Sequence, residues 1–300
     1  MQKHLNSAKD IFQLTLAKLN LSLNQREFCL NSKVTDNITY DHAKQIAEMA
    51  NLKNFSLTAW EEATKLIEAH NQHQVKVVPL GSEYYPPSLE LIDNPPKIIF
   101  AKGNFDLLLN NPGVSIVGSR SATKFGLKAA EKIAAHFAER GLVIVSGLAL
   151  GIDSAAHRSC LVNRGSTIAV LAHGLHRVYP PDNLSLSASI LDNGGLLLSE
   201  YPIGMEPKKN FFVLRNRIQV GISSFSIVVE AKKKSGTMSH ADYCLKAKHP
   251  IYVVLPQNAA LTSSFDGNLW LYQERGALPL RSHLDYPNFR SHTIVESRQL

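Results

Sequence analysis

From Val114 onward the chain alternates short runs of apolar, mostly β-branched residues with longer stretches of helical periodicity, and this alternation constrains the fold more than any other feature. The short runs fall at 114–117, 142–145, 167–171, 195–198, 225–229 and 251–255. Helical spacing of apolar positions fits 126–140, 152–163, 183–191, 211–220 and 236–248, with Gly, Ser, Asp or Asn at each handover. A strand with one solvated face would carry polar residues at every second position. These runs do not, so they are expected in a mostly parallel sheet covered on both faces by helices, the doubly wound α/β class.

Upstream, Ile11, Leu14, Leu16 and Leu19, and later Ala59, Trp60, Ala63, Leu66 and Ile67, recur at helical spacing. Residues 1–72 are therefore expected to form a small helical domain. Two short strands at 75–79 and 97–101, separated by Tyr84-Tyr-Pro-Pro87 and Asn94-Pro-Pro96, are expected at the edge of the main sheet. The principal domain then covers 73–280, and the polar, aperiodic stretch 281–300 reads as a loose tail. A chain of 300 residues suits one large core with a small accessory domain.

Lys and Arg outnumber Asp and Glu by 32 to 25, a formal net charge of +7 that favours polyanionic partners such as nucleic acid. Cys29, Cys160 and Cys244 are odd in number, widely spaced and in no C-x-x-C pattern, which excludes a disulfide framework and a zinc-finger pair. The first thirty residues lack a signal-peptide apolar core, and no eighteen uninterrupted apolar residues occur. The expected location is cytoplasmic, with no membrane association.

In an open parallel sheet, ligands meet the loops beyond the carboxyl ends of the strands, where helix N-termini present N–H groups. The first such loop, Gly118-Ser-Arg-Ser-Ala-Thr-Lys-Phe-Gly126, has neither the G-x-G-x-x-G spacing of a dinucleotide site nor the Gly-Lys-Ser/Thr ending of a P-loop. NAD and ATP thereby lose ground, and no cofactor is expected. Gly118, Ser119, Arg120 and Lys124 nevertheless suit phosphate oxygens. In the second loop, two glycines bracket a tight turn and Asp153 stands near a helix start, where capping is the simpler role; His157 follows one turn later, so the two can pair.

Further on, Lys208, Lys209, Arg215 and Arg217 surround Phe211 and Phe212, a mixture of cations and rings that binds backbone phosphates and stacks bases. The phenylalanines are expected in the core, and the arginines facing a ligand or a carboxylate. Glu230-Ala-Lys-Lys-Lys-Ser-Gly-Thr237 places a carboxylate at a strand end and a Ser235-Gly236 helix entrance able to hold an anion. His173 and His176 are closely spaced, but no carboxylate ligand motif accompanies them, so no metal site is assigned. No nucleophile elbow, H-E-x-x-H or Cys-His signature occurs, and no catalytic residues are assigned.

Taken in order, these loops resemble the DprA/Smf family of DNA-processing proteins. The matching pieces begin with Tyr85-Pro86, Pro95-Pro96 with Gly103, and Ile116-Val-Gly-Ser-Arg120. Val145-Ser-Gly-Leu-Ala149 follows, with Gly151-Ile-Asp153 and Ala156-His157, then Gly174-Leu175 with Val178-Tyr-Pro-Pro181. Leu198-Ser-Glu-Tyr-Pro202, Arg215-Asn216-Arg217, Glu230-Ala231 with Ser235-Gly236, and Gly267-Asn-Leu269 with Gly276-Ala277 complete the series. The resemblance implies a homodimer of extended Rossmann-like domains, each preceded by a sterile-alpha-motif-like helical domain, that binds single-stranded DNA and aids loading of a RecA-type recombinase in natural transformation. It makes Arg120 the main phosphate contact, with Ser119, Ser146, Gly147, Arg215, Arg217 and Ser235 lining the pocket, and leaves Asp153, His157 and Glu230 as structural residues.

Three positions depart from the family pattern: Leu150 and Leu214 stand where the family often has basic residues, and Pro181 where a lysine frequently follows Tyr-Pro. DNA affinity is then expected to be weaker, or to rest on Lys124, Lys208, Lys209 and Lys232 to Lys234. The sequence closes without the winged-helix domain of some members, so that module's function is not expected. Two alternatives stay open: an N-glycosidic nucleotide enzyme of the related lysine-decarboxylase-like fold using Glu230, and a degenerate member acting through protein partners.

Overall fold

The computed structural model describes residues 7–19, 21–32, 34–110, 113–256 and 263–288, so positions 289–300 of the expected tail lie outside the described residues. Four helices open the chain: α1 (Ala8–Lys18), α2 (Leu23–Asn31), α3 (Tyr40–Met49) and α4 (Leu57–Asn71). Each starts where Ser7, Ser22, Thr39 or Ser56 accepts a hydrogen bond from a first-turn amide, a cap worth about 1 kcal/mol. Phe12, Ile38, Ile46 and Phe55 form a core among these helices, with the Phe12 and Phe55 rings edge to face at 5.7 Å. The other side of α1 and α4 carries Leu14, Ala63 and Ile67 onto Val75, Val77 and Phe100. His70 strengthens that junction, stacking on Phe100 at 4.5 Å while its Nε2 accepts the Ile203 amide at 3.0 Å.

The sheet that follows is built from β1 (Lys76–Pro79), β2 (Ile98–Gly103), β3 (Gly113–Val117), β4 (Val143–Ser146), β5 (Thr167–Leu171), β6 (Leu196–Ser199), β7 (Phe225–Val228), β8 (Ile251–Val254) and β9 (Leu278–Leu280). Short helices α5 (Pro87–Glu90) and α6 (Leu107–Asn110) precede β2 and β3. The crossovers are α7 (Lys124–Ala138), α8 (Ile152–Val162), α9 (Leu184–Asp192), the pair α10 (Lys209–Leu214) and α11 (Asn216–Gly221), α12 (Gly236–Lys246) and α13 (Asp266–Arg275). Spatial order is β1-β2-β6-β5-β4-β3-β7-β8-β9. The proline-punctuated strands β1 and β2 lie at one edge of the sheet, as expected; they pair antiparallel, as do β2 and β6, and every other junction is parallel. The fold is thus α/β with a mixed, mostly parallel sheet and preceding helices.

The six expected core strands lie within a residue of their predicted limits, and β3 to β7 are buried at every position. One face packs Phe137, Ile133 and Phe225 beneath α7 and α8; the other packs Ile99, Val145, Val170 and Ile218. Each such side chain contributes about 1.5–3 kcal/mol on burial. The helix expected over 211–220 is divided into α10 and α11, because α10 buries no residue whereas every residue of α11 is buried. Arg215, between them, stays in helical backbone geometry (φ −60°, ψ −25°), so side-chain periodicity carries no mark of the break. Helix α13 and strand β9 were not expected; β9 is only Leu-Pro-Leu, with Pro279 tolerated on an edge strand.

Strand β3 lies between β4 and β7, and from it the chain winds outward in both directions. The loops after β3 and β7 therefore leave the sheet at its topological switch point, the position where open α/β sheets hold ligands. Among the described residues no helix is long and apolar enough to cross a membrane.

Candidate functional site

Glu230, two residues beyond the end of β7, holds the loop that follows β3. Its carboxylate accepts the Thr123 amide at 3.0 and 3.1 Å and the Thr123 hydroxyl at 2.7 Å, while its backbone carbonyl accepts the Ser119 amide at 2.7 Å. Thr123 in turn caps α7 by accepting from Gly126 N at 3.1 Å. A Cβ at Gly126 would stand 2.1 Å from Glu230 Oε2, which is why the helix start needs glycine. The loop is so constrained that Arg120 and Ser121 project outward, with Lys124 and Phe125 exposed beside them. Glu230 is 1 % exposed and committed to Thr123.

The second loop is fixed from behind. Asp153 accepts the amides of Gly147 at 3.1 Å and Ala149 at 3.4 Å, pinning the loop that precedes its helix. It does not cap α8, whose N-cap is Gly151 with no side-chain bond. Gly151 has φ 77°, and a Cβ there would meet the Ser119 carbonyl at 2.2 Å, so the two loops touch through this glycine. Burial pushes the Asp153 carboxyl up, against the opposing pull of Arg215 and the two amides. His157 does not pair with Asp153; its Nδ1 lies 2.7 Å from Thr167 Oγ1. Because the Thr167 hydroxyl donates to Ile144 O at 2.7 Å, His157 Nδ1 carries the proton in that contact.

Several residues expected in a phosphate pocket face the interior. Ser146 donates to Ile116 O at 2.6 Å and is fully buried between β4 and β3. Gly147 offers its amide to Asp153 and its carbonyl to Arg215 Nη1 at 2.8 Å, and no Cβ fits there because Arg215 Nη1 would lie 2.0 Å away. Arg215 also donates to the Val170 carbonyl in a short contact and to Asn216 Oδ1 at 3.3 Å. Arg217 takes the carboxylate role: Nη1 meets Glu200 Oε1 at 2.9 Å, Nη2 meets Oε2 at 2.5 Å, and Nε donates to Asn94 O at 2.9 Å. The reason is burial: Arg215, Asn216 and Arg217 are each 6–7 % exposed, so their donors must be satisfied inside. Ser235 is half-buried at the start of α12, and a Cβ at exposed Gly236 would meet nothing.

What remains at the surface is a set of cations and rings. Arg120 stands 5.1 Å from the centroid of Phe212, whose ring lies 5.7 Å from that of Tyr179. Phe211 stacks on Tyr201 at 3.9 Å and 19°, with Lys208 Nζ 5.5 Å above it. Phe211 and Phe212 are half-buried, contrary to the expectation of core positions, because α10 lies at the surface and buries none of its residues. Exposed Leu150, Tyr179 and Val213 extend the apolar ground, and Lys208, Lys209 and Lys232 to Lys234 are exposed. Tyr179 and Tyr201 were not singled out; their signal was a tyrosine placed before proline in Tyr179-Pro180 and Tyr201-Pro202.

The close histidines serve the backbone. His173 Nδ1 lies 3.0 Å from Gly174 O, and His176 Nδ1 accepts from Gly204 N at 3.2 Å. Among the described residues no group of three His, Cys, Asp or Glu is arranged to hold a metal ion.

Residues 76–288 match the family described as DNA recombination-mediator protein A. The chain is 35 % identical over 225 residues to the DNA processing protein DprA of Bacillus subtilis, covering 75 % of this chain and 74 % of that one. It is 37 % identical over 236 residues to DprA of Streptococcus pneumoniae, covering 78 % and 82 %. The solved S. pneumoniae DprA superimposes with a TM-score of 0.69 at 33 % identity, over 95 % of this chain and 97 % of that one. A Helicobacter pylori DNA processing protein A, described with a unique single-stranded DNA binding mode, gives a TM-score of 0.62 at 32 % identity over 69 % of this chain and 90 % of its own. The match over most of the sheet and its loops makes this chain a member of the DprA/Smf family of DNA recombination mediators.

Proposed function

We propose that the protein binds single-stranded DNA across the carboxyl edge of its sheet. Phosphates meet Arg120, Lys124, Lys208 and Lys209, with the backbone of Gly118, Ser119, Ser235 and Gly236 in close approach, and bases lie against Phe212 and Tyr179. The observation that carries this reading is the column of Arg120, Phe212 and Tyr179 at the surface of the switch point. Duplex DNA hides its base faces in its own stack, so aromatic rings interleaved with cations favour a strand whose bases are free. A net charge of +7 and the single-stranded DNA binding of the H. pylori relative support it. In this reading Ser146, Gly147, Arg215, Asn216 and Arg217 act from behind the surface, holding the loops in place.

Membership in a family of recombination mediators supports a further part of the proposal: the protein works as a homodimer that protects the strand and hands it to a RecA-type recombinase. The helical unit 1–72, with its core of Phe12, Ile46 and Phe55, is taken as a separate module beside the DNA-binding unit 73–280. The test is a competition in which a labelled single strand is displaced by unlabelled single-stranded or duplex DNA of the same sequence. The single strand is expected to compete at far lower concentration. Equal competition by duplex would contradict the reading.

A further inference from the structure

Beside Arg120, on the outer side of the first loop, a depression of about 340 Å³ runs between α7 and α8. Of its lining residues the reading above uses only Arg120. Its floor is apolar, made by Ala122, Leu127 and Ala155, all packed onto the core beneath. Arg120 itself lines one end; farther along, the walls carry a carboxylate, Glu131, and a second guanidinium, Arg158. Both are exposed, and among the described residues neither enters an ion pair or a side-chain hydrogen bond.

The helices place these groups in a definite order. Gly151, at the start of α8, abuts the backbone of Arg120, and a Cβ there would lie 2.8 Å from the Arg120 carbonyl. Farther along α8, Ser159 Oγ donates to the Glu131 carbonyl at 2.7 Å, fixing the contact of the two helices at that level. Positions 151, 155 and 158 share one face of α8, and 127 and 131 share one face of α7. Seven residues of helix separate Gly151 from Arg158, about 10 Å at 1.5 Å per residue. That is of the order of the span from a phosphate to the Watson–Crick edge of its own base. A nucleotide whose phosphate sits at Arg120 thus has apolar ground for its ring, from Ala122, Leu127 and Ala155, and two charged groups farther along the helices.

We propose that this depression is a base subsite that prefers guanine. A carboxylate only accepts hydrogen bonds and a guanidinium only donates them. Guanine alone among the four bases offers two adjacent donors, N1–H and N2–H2, to the two oxygens of Glu131, and next to them two acceptors, O6 and N7, to the fork of Arg158. Thymine has a single donor on its pairing edge, adenine one amino group flanked by the acceptors N1 and N7, and cytosine one amino group beside N3, so none of them offers two adjacent donor groups. The proposal rests on the single-strand reading and adds to it a selectivity that phosphate contacts and ring stacking do not supply, since neither reads base identity.

The test compares affinity for an all-thymine strand with that for a strand of equal length in which single guanines are spaced among thymines, so that no guanine-rich fold forms. Binding is followed by anisotropy on the full chain. The guanine-bearing strand is expected to bind roughly tenfold tighter, the lower part of the range for a bidentate base contact. Replacing guanine by inosine, which lacks the N2 amine, is expected to remove much of that gain. Glu131→Gln and Arg158→Ala, both at exposed helix positions and checked for native circular dichroism, are expected to bring the ratio close to one. Equal affinity of the wild type for both strands, with binding still dependent on Arg120, overturns the subsite and leaves the single-strand reading intact. No binding of either strand overturns both.

Discussion

Arg217 holds Glu200 through both arms of its guanidinium, at 2.9 Å to one carboxylate oxygen and 2.5 Å to the other, with the two side chains 8 % and 13 % exposed. This pair joins α11 to the segment that follows β6, and Nε adds a bond to Asn94 O, so three chain segments meet at one side chain. Arg217→Ala leaves a nearly buried carboxylate without its charged partner and removes the donor to the Asn94 carbonyl. A loss of about 3–5 kcal/mol in unfolding free energy is expected, measured by urea titration. A change under 1 kcal/mol would show that the pair is not the junction described.

Glu230→Ala removes the acceptor for the Thr123 amide and hydroxyl, which fix the loop bearing Arg120. The expected stability loss is about 2 kcal/mol, accompanied by weaker DNA binding because the cation is no longer held in place. Hydrogen exchange at 118–124 is the direct readout. Unchanged protection there would contradict the role given to Glu230.

Burial pushes His157 and His240 down to about 3. Both are neutral in the folded protein above that value, whereas in the unfolded chain they take up protons near the ordinary imidazole value of about 6.5. The unfolded state thus binds more protons between these limits. The contribution is fully present above about pH 6.5 and is lost as pH falls toward 3, on the order of 1.4 kcal/mol per pH unit for each histidine. Unfolding titrations at pH 7 and pH 5 should show the decline, and His240→Gln should flatten it.

Cys29, Cys160 and Cys244 are buried, and desolvation pushes their thiols up to about 11, 12 and 12. A thiol-specific reagent at pH 8 is therefore expected to label none of them in the native protein and all three in denaturant. Rapid native labelling of Cys160 would contradict the packing of α8 against the sheet.

Most of the architecture was legible in the chain. The six core strands announce themselves as nearly all-apolar runs, interrupted only by residues such as Ser115 and Ser226, because both faces are covered. The break at Arg215 was not legible, since its backbone stays helical and only burial distinguishes α10 from α11. The loops after β3 and β7 were identified as the site, but the division of labour among their residues was not. Arg120 and Arg215 are the same residue type; Arg120 is turned outward on a loop that Glu230 holds, and Arg215 is turned inward onto Gly147, both tertiary facts. Phe211 and Phe212 read as core because aromatic residues usually are, and their half-buried setting on α10, a helix that buries none of its residues, is visible only in the fold.

Phe212→Ala separates stacking from charge. With the ring beneath Arg120 removed, affinity for a single strand is expected to fall by about 1–3 kcal/mol with the salt slope unchanged. A reduced slope with unchanged low-salt affinity would show that the ring only positions the cation.

The central claim is that Arg120 meets a phosphate of a single strand. Anisotropy titrations of a labelled oligonucleotide into wild type and Arg120→Ala, from low to physiological salt, test it most directly. The account predicts weaker binding by the variant and a slope of log affinity against log salt that is shallower by about 0.7, the value for one phosphate contact on single-stranded DNA. Identical affinities and identical slopes in the two proteins would contradict it.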